Sequence, residues 1–283
     1  MRPDDEGPLP SAPELEKALA ALASPAPADF RLRVLRRAGI ARDRYDSYVR
    51  VDTDAGGLYV AFGPHAVTGA MLETMVTGPD GFEELHRSRT RRTAIRATTP
   101  FPGLRTAVRT GRAKNLAIDM GHVGTEQRAV LDAVRTVPKG QLRPVSWIAR
   151  EAGLDRERGE RERGERECEG GDIIGRALAA NPAVLLIPCH RITGEDGTPC
   201  DAAYPPGTGE ALRATEGIDM TRLAELARRG AFLLGSATTH IYCHPTCAHA
   251  RRITPRHQRP FHNASEARQA GYRACRSCRP LTA

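Results

Sequence analysis

The chain has 283 residues, a net charge of +8, 40% hydrophobic residues and only 5% aromatics. That length accommodates two or three domains. No run approaches the roughly 18 apolar residues of a membrane span, and the acidic start Met1-Arg-Pro-Asp-Asp-Glu lacks the apolar core of a signal peptide. Seven cysteines without a secretion signal point to a reducing, cytoplasmic compartment and against a disulfide framework.

Residues 1–29 are rich in Pro, Ala and acid and read as a mobile tail, with a short helix over Glu14–Leu22. Phe30–Ala38 has helical apolar spacing. Ser47–Val51, Gly57–Phe62 and Ala66–Met71 read as strands, with a turn at Gly63-Pro64. Gly81–Arg92 and Pro102–Thr110 read as helices and Leu116–Met120 as a further strand. Residues 30–120 are therefore expected to form a small α/β sheet domain with no catalytic constellation. Thr125 is the expected N-cap of a helix whose apolar face is Ala129, Val130, Ala133 and Val134. Val145–Gly153 and Ile173–Ala180 read as two short helices, a pair compatible with helix-turn-helix docking on DNA. Between them, Arg156–Glu167 repeats the pentamer Arg-Glu-Arg-Gly-Glu twice and adds Arg-Glu, which reads as a solvated loop, and Cys168 as an idle thiol. Val184–Ile187 is expected to be a strand leading into Cys189. Glu210–Glu216 reads as a closing helix and Asp219–Arg229 as a helical connector. Between Ala231 and Ala283 lie eight arginines and one glutamate, with no lysine or aspartate, so most of the positive excess sits in one compact stretch suited to nucleic acid.

Two groups of cysteines carry chemistry. In Ile187-Pro188-Cys189-His190-Arg191 a thiol follows a proline and precedes a histidine. A free thiol has a pKa of about 8.5 and is largely protonated at neutral pH, so a nearby base assists its nucleophilic attack. With Asn181-Pro182 upstream, the string resembles the acceptor motif of the methylated-DNA-protein-cysteine methyltransferases. The resemblance runs from Thr125 to Gly217 through Pro138-x-Gly140, Ile148-Ala149, Gly175-x-Ala177-Leu178, the Asp196-Gly197 turn and Glu216-Gly217. It implies that Cys189 accepts a methyl group, that His190 is its base through a water, that Glu216 orients His190, and that Asn181 braces the turn. The damaged base must leave the stack to reach the sulfur, and the stable thioether limits each protein to one lesion. This chain departs from the family where Val145 replaces a tyrosine that protonates the leaving guanine. It departs again where Asp172 replaces the arginine that fills the vacated stack, with Arg166 or Arg176 as substitutes, and where Ala202 replaces a pocket tyrosine that Tyr204 follows two positions later. Slow or impaired guanine repair is expected.

Cys243-x3-Cys247 and Cys275-x2-Cys278 have the spacing of a tetrahedral zinc site, with His240, His244, His249 and His257 as alternative ligands. A small module poor in apolar residues needs such a staple. The segment from Gly235 to Pro280 resembles the Ada metal-binding domain. That resemblance implies one Zn2+ held by Cys243, Cys247, Cys275 and Cys278, with Cys243 also accepting methyl groups from DNA methylphosphotriesters. Arg251, Arg252, Arg256, Arg273, Arg276 and Arg279 are candidate phosphate contacts, as are Arg176 and Arg191 in the preceding domain.

The expectation is an α+β protein with a tail at 1–29, a sheet domain at 30–120, an alkyltransferase domain at 121–217 with an insert at 155–170, a connector at 218–230 and a zinc module at 231–283. It would act as a cytoplasmic monomer on double-stranded alkylated DNA, with no membrane role, transferring alkyl groups from O6-alkylguanine to Cys189 and from phosphotriesters to Cys243. The competing reading is a zinc-dependent DNA-binding or alkylation-sensing protein whose alkylguanine site is impaired.

Overall fold

A computed structural model describes residues 11–14, 16–17, 27, 29–154 and 173–281. Most of the expected tail, most of the Glu14–Leu22 helix, the 155–170 insert, Arg166, Cys168 and Asp172 lie outside the described residues. The architecture is mixed α+β: an N-terminal sheet, a helical middle and a small C-terminal sheet beside four clustered cysteines.

After helix α1 (Phe30–Arg37), strands β1 (Asp46–Thr53), β2 (Gly56–Phe62) and β3 (Val67–Leu72) form an antiparallel meander. Helix α2 (Gly78–Thr90) returns the chain to β4 (Ala94–Arg96), which joins parallel to β1 and gives the order β3-β2-β1-β4. Strand β2 reads as one apolar run because both of its faces are covered. Leu58, Val60 and Phe62 face the main core, while Tyr59 and Ala61 face Tyr48 and Phe82. The short β4 carries only three residues, too few to show an alternation in the sequence.

Helices α3 (Leu104–Thr110) and α4 (Thr125–Val134) lead to β5 (Arg143–Pro144), α5 (Val145–Glu151) and, beyond the undescribed insert, α6 (Ile173–Ala179). Helix α4 packs on both α5 and α6. One continuous core joins the sheet to these helices: Leu58, Val60, Val130, Leu131, Ile148, Leu178, Ile187 and Cys189 all belong to it. Strand β6 (Ile192–Thr193) pairs with β5, and α7 (Thr208–Thr215) follows. Helix α8 (Met220–Arg228) is capped by the Asp219 side chain, which accepts from the Arg222 amide at 2.9 Å.

The last module has a sheet of order β10-β8-β7-β9, from β7 (Leu233–Ser236), β8 (Ile241–Cys243), β9 (Gln258–Phe261) and β10 (Arg273–Ala274). Helix α9 (Ala264–Gln269) starts at a reciprocal cap, in which Asn263 accepts from the Glu266 amide and Glu266 accepts from the His262 amide. Gly235 lets β7 pass beneath aromatic rings, because a Cβ there would lie 2.6 Å from Phe261 and 2.7 Å from Tyr272.

Several expectations are corrected. Leu116–Met120 is not a strand; only Ile118 makes an isolated bridge, to Val67. Thr125 is the first helical residue, and the N-cap is Gly124. Val184–Ile187 is not a strand but a tight turn. Leu185 takes a left-handed φ of 68°, and the Ile187 amide returns to the Ala183 carbonyl at 2.9 Å. Cys200, expected to be reduced, is disulfide-bonded.

The sheet domain also holds a buried polar cluster that the sequence did not reveal. The Asp46 carboxylate, 0% exposed, accepts from Thr68 Oγ1 at 2.9 Å and from Arg92 Nε at 2.9 Å, and meets His86 Nε2 at 2.9 Å. Burial alone would raise its pKa, but hydrogen bonds from His86 and Thr68 and the Arg92 charge more than reverse this and hold the group below its ordinary value. Asp46→Ala leaves the buried Thr68 hydroxyl and His86 ring nitrogen without their acceptor, while Arg92, a third exposed, keeps the Tyr45 carbonyl. It should lower the unfolding free energy by about 2–3 kcal/mol in urea titrations, whereas a loss under about 1 kcal/mol would contradict this role.

Candidate active site and metal centre

The thiol site is assembled from four stretches of chain. Cys189 opens the single 3-10 turn Cys189–Arg191, which Pro188 introduces. The preceding loop is closed by one side chain. Asn181 Oδ1 accepts from the Ala183 amide at 2.9 Å, and Asn181 Nδ2 donates to the Ile187 carbonyl at 2.9 Å and to Cys189 Sγ at 3.2 Å. The sheet domain holds the other side of this loop, since Ala70 of β3 bonds the Pro182 carbonyl and the Val184 amide at 3.0 Å each. The domain with no catalytic residues of its own thus fixes the loop that carries the sulfur.

Cys189 is 0% exposed. Burial pushes its thiol up to about 12, opposed by the Asn181 hydrogen bond. The ring of His190 is held at both nitrogens. Nε2 lies 3.0 Å from Glu216 Oε1, and Nδ1 lies 3.2 Å from the Tyr204 hydroxyl. A carboxylate acceptor at Nε2 places the proton there and leaves the lone pair on Nδ1, facing Tyr204. Burial lowers the pKa of His190 against the opposing pull of Glu216, so the ring is neutral at neutral pH. The Tyr204 hydroxyl also accepts from the His190 amide at 3.2 Å. Burial, and then the proximity of Cys189, raise its pKa, so the phenol keeps its proton.

Glu216 is the hub. Besides His190 it takes Arg191, whose Nη2 lies 2.6 Å from Oε1, and the Gly140 amide, 2.8 Å from Oε2. Gly140 has a φ of 74°, which explains a glycine in the Pro138-x-Gly140 turn. Burial would raise the Glu216 carboxyl, but its partners His190 and Arg191 hold it down at about 2. Arg191, expected to touch DNA, is instead 2% exposed, with Nη1 donating to the Val137 carbonyl at 2.7 Å. Its charge is consumed internally, so it offers no surface to phosphate. Val145 is fully buried at the start of α5 and has no proton to donate. Tyr204 is the residue whose role the sequence left open, because a two-position offset in a loop does not say where a side chain folds back.

The Sγ atoms of Cys243, Cys247, Cys275 and Cys278 lie within 4.8 Å of one another, and all four residues are buried. Tetrahedral Zn–S bonds of about 2.3 Å place sulfurs about 3.8 Å apart, so this soft donor set fits such an ion with slight contraction. Cys243 ends β8 opposite Leu234, and Cys275 follows β10, whose partner is β8, so sheet pairing brings the two cysteine pairs together. Hydrogen bonding to the Cys247 and Cys278 sulfurs, together with burial, pushes the Cys243 thiol up. Four sulfurs crowded in this way need a cation to be ionised together. None of the four alternative histidines belongs to the cluster. Arg251, Arg252, Arg256, Arg273 and Arg276 are exposed on the module, and Arg176 is exposed on α6. Arg251 approaches the thiol domain, since a Cβ on Gly140 would lie 3.5 Å from its Nη1.

A braced cysteine beside a Glu-held histidine, followed by a four-sulfur module, defines a protein with two cysteine-centred sites, and each site lies in a segment that matches a known domain family. Residues 125–218 match the 6-O-methylguanine DNA methyltransferase DNA-binding domain, and residues 224–280 match the metal-binding domain of Ada. The chain therefore carries the first of these domains followed by the second, and over the first it is homologous to the methylated-DNA–protein-cysteine methyltransferases. The inducible enzyme of Bacillus subtilis (strain 168) is 30% identical over 89 residues, 31% of this chain and 42% of the relative. The enzyme of Mycobacterium leprae (strain TN) is 30% identical over 88 residues, 31% of this chain and 46% of the relative. The chain thus spans less than half the length of the curated relatives it matches. Mycobacterium tuberculosis OGT, solved in complex with DNA, overlaps 64% of this chain and 98% of its own at 22% identity and a TM-score of 0.42.

The Glu216 pairing is testable by pH. Its depressed folded pKa makes its contribution fully present above the unfolded value near 4.5, and the contribution is lost as pH falls toward about 2. Glu216→Gln should cost roughly 3 kcal/mol at pH 7, with the gap to wild type closing between pH 4.5 and 2 in acid-titrated denaturant melts. A gap that does not depend on pH contradicts the pairing.

Proposed function

We propose that the protein repairs alkylated double-stranded DNA by irreversible transfer of the alkyl group of O6-alkylguanine to Cys189, with a second acceptor, Cys243, for DNA methylphosphotriesters. The observation that carries the reading is the pair of contacts Asn181–Cys189 and His190–Glu216, made by adjacent residues of one turn inside the matched domain. In the step at Cys189, the thiol proton passes to the neutral His190 at Nδ1, with the Tyr204 hydroxyl on that nitrogen as relay. The sulfur lone pair forms the S–C bond, and the guanine departs with the C–O electrons, taking up a proton. Glu216 stabilises the resulting imidazolium and holds the ring with its basic nitrogen on the Tyr204 hydroxyl. Asn181 steadies the developing thiolate by its hydrogen bond to sulfur. Because Val145 supplies no proton, the leaving guanine draws one from elsewhere, which agrees with a slow reaction.

Zn2+ is the ion proposed for the four-sulfur centre, held by Cys243, Cys247, Cys275 and Cys278; it would keep their sulfurs ionised at neutral pH. The exposed arginines of the module and Arg176 are the proposed phosphate contacts.

A second reading, a zinc-dependent DNA-binding or alkylation-sensing protein with an impaired alkylguanine site, is favoured by one observation. Cys189 has no exposed surface, and its thiol is pushed up to about 12. Some part of the surrounding structure must move before an extruded base meets the sulfur. A labelled-methyl assay separates the two. With O6-methylguanine DNA, wild type should take up label in one turnover, Cys189→Ala should lose at least about 99% of it, and Cys243→Ala should retain it. Wild-type protein that binds the DNA but takes up no label leaves the second reading.

A further inference from the structure

Arg143 is a buried cation without a carboxylate partner among the described residues. It is 2% exposed, and its Nη atoms donate to the Leu142 carbonyl and to Gln141 Oε1, both at 2.7 Å. Its Nε is buried with no hydrogen-bond partner. Such a charge is strongly disfavoured unless an opposite charge lies close by. Three arginines surround the Trp147 ring, with guanidinium carbons 5.4 Å (Arg143), 6.0 Å (Arg150) and 5.8 Å (Arg279) from its centroid. Arg150 and Arg279 both pair with Glu151. Arg143 is the one of the three with no such pair.

The missing charge is found across the domain contact. Trp147 Nε1 donates to the Cys278 carbonyl at 3.0 Å, and the Leu142 amide donates to Thr246 Oγ1, between Cys243 and Cys247, at 2.8 Å. Arg143, from the methyltransferase-type domain, is thereby set against the four-sulfur cluster. Its guanidinium lies over the same Trp147 ring whose Nε1 bonds the Cys278 carbonyl, which places the cation on the cluster's side of the contact.

We infer that Arg143 is the counter-cation of the four-sulfur centre, supplied by the neighbouring domain, where it restrains the reactivity of the sulfurs and ties the two domains together by charge. Four thiolates around a divalent ion carry about two net negative charges, which one guanidinium halves. When one sulfur is alkylated, its lone pair forms the S–C bond and the leaving group departs with its own electron pair. The sulfur becomes a neutral thioether, and the centre loses one negative charge. The hold on Arg143 weakens, and the change reaches helix α5 through Arg143 and Trp147. This inference rests on the proposed metal reading, not on phosphotriester transfer.

The test uses full-length, zinc-loaded protein with iodomethane as the alkylating probe, so that DNA reactivity is not involved. Arg143→Met should raise the rate at which the cluster cysteines are alkylated by about tenfold and weaken zinc binding in chelator competition by about the same factor. Arg143→Lys, which keeps the charge, should stay near wild type. A Met variant that matches wild type, or a Lys variant that behaves like the Met variant, overturns the inference. An arm without mutations guards against a misfolded variant: alkylating the wild type should speed hydrogen exchange of the Trp147 indole and the α5 amides, and unchanged exchange overturns the inference as well. Wild-type protein that takes up no zinc removes the metal reading and this inference together.

Discussion

Glu216 is the charge on which the thiol site depends. Its carboxylate gathers the imidazole of His190, the guanidinium of Arg191 and the amide of Gly140. These come from the cysteine turn, the turn after α4 and the end of α7, which are separate in sequence. A carboxylate left unpaired at this depth would be costly, and so would either cation-forming partner without it. The three stretches therefore hold their positions only together, and the tautomer of His190 follows from that arrangement.

The two sulfur environments solve the same chemical problem in opposite ways. At Cys189 the sulfur sits alone in the apolar core, with a single amide donor, and burial keeps it protonated. Under the proposed function, ionisation there waits until a base takes the proton, which would shield the sulfur from stray electrophiles. At the C-terminal cluster four sulfurs are crowded together and need a shared cation to ionise at all. The first sulfur is restrained by solvent exclusion. The second group would be restrained by charge, some of it reaching in from the adjacent domain.

The parts of the fold legible in the sequence are those with local signals. The apolar run of β2, the apolar face of α4, and the close spacing within each of the pairs Cys243–Cys247 and Cys275–Cys278 each report on neighbours a few residues away. The Asn181–Cys189 and His190–Glu216 contacts join residues that a long motif already grouped. The misreadings arose where tertiary contacts decide. Val184–Ile187 is apolar and β-branched enough to look like a strand, yet the Asn181 side chain closes it into a turn, with Leu185 in a left-handed conformation. Arg191 looks like a surface arginine, but the carboxylate that buries it lies 25 residues away. Asp46, His86 and Arg92 look like ordinary surface residues, because the 40-residue separation between Asp46 and His86 hides the contact. The burial of Arg143 could not be read at all, since the module that packs on its neighbours Leu142 and Trp147 lies more than a hundred residues downstream.

The most direct measurement of the central claim is the protonation state of His190, read from ring nitrogen shifts in the nitrogen-15-labelled protein. The Glu216 arrangement predicts a neutral ring with its proton on Nε2 and a bare Nδ1 throughout the neutral pH range. A proton on Nδ1, or an imidazolium at neutral pH, would leave His190 with no basic nitrogen on the Tyr204 hydroxyl and would contradict the account.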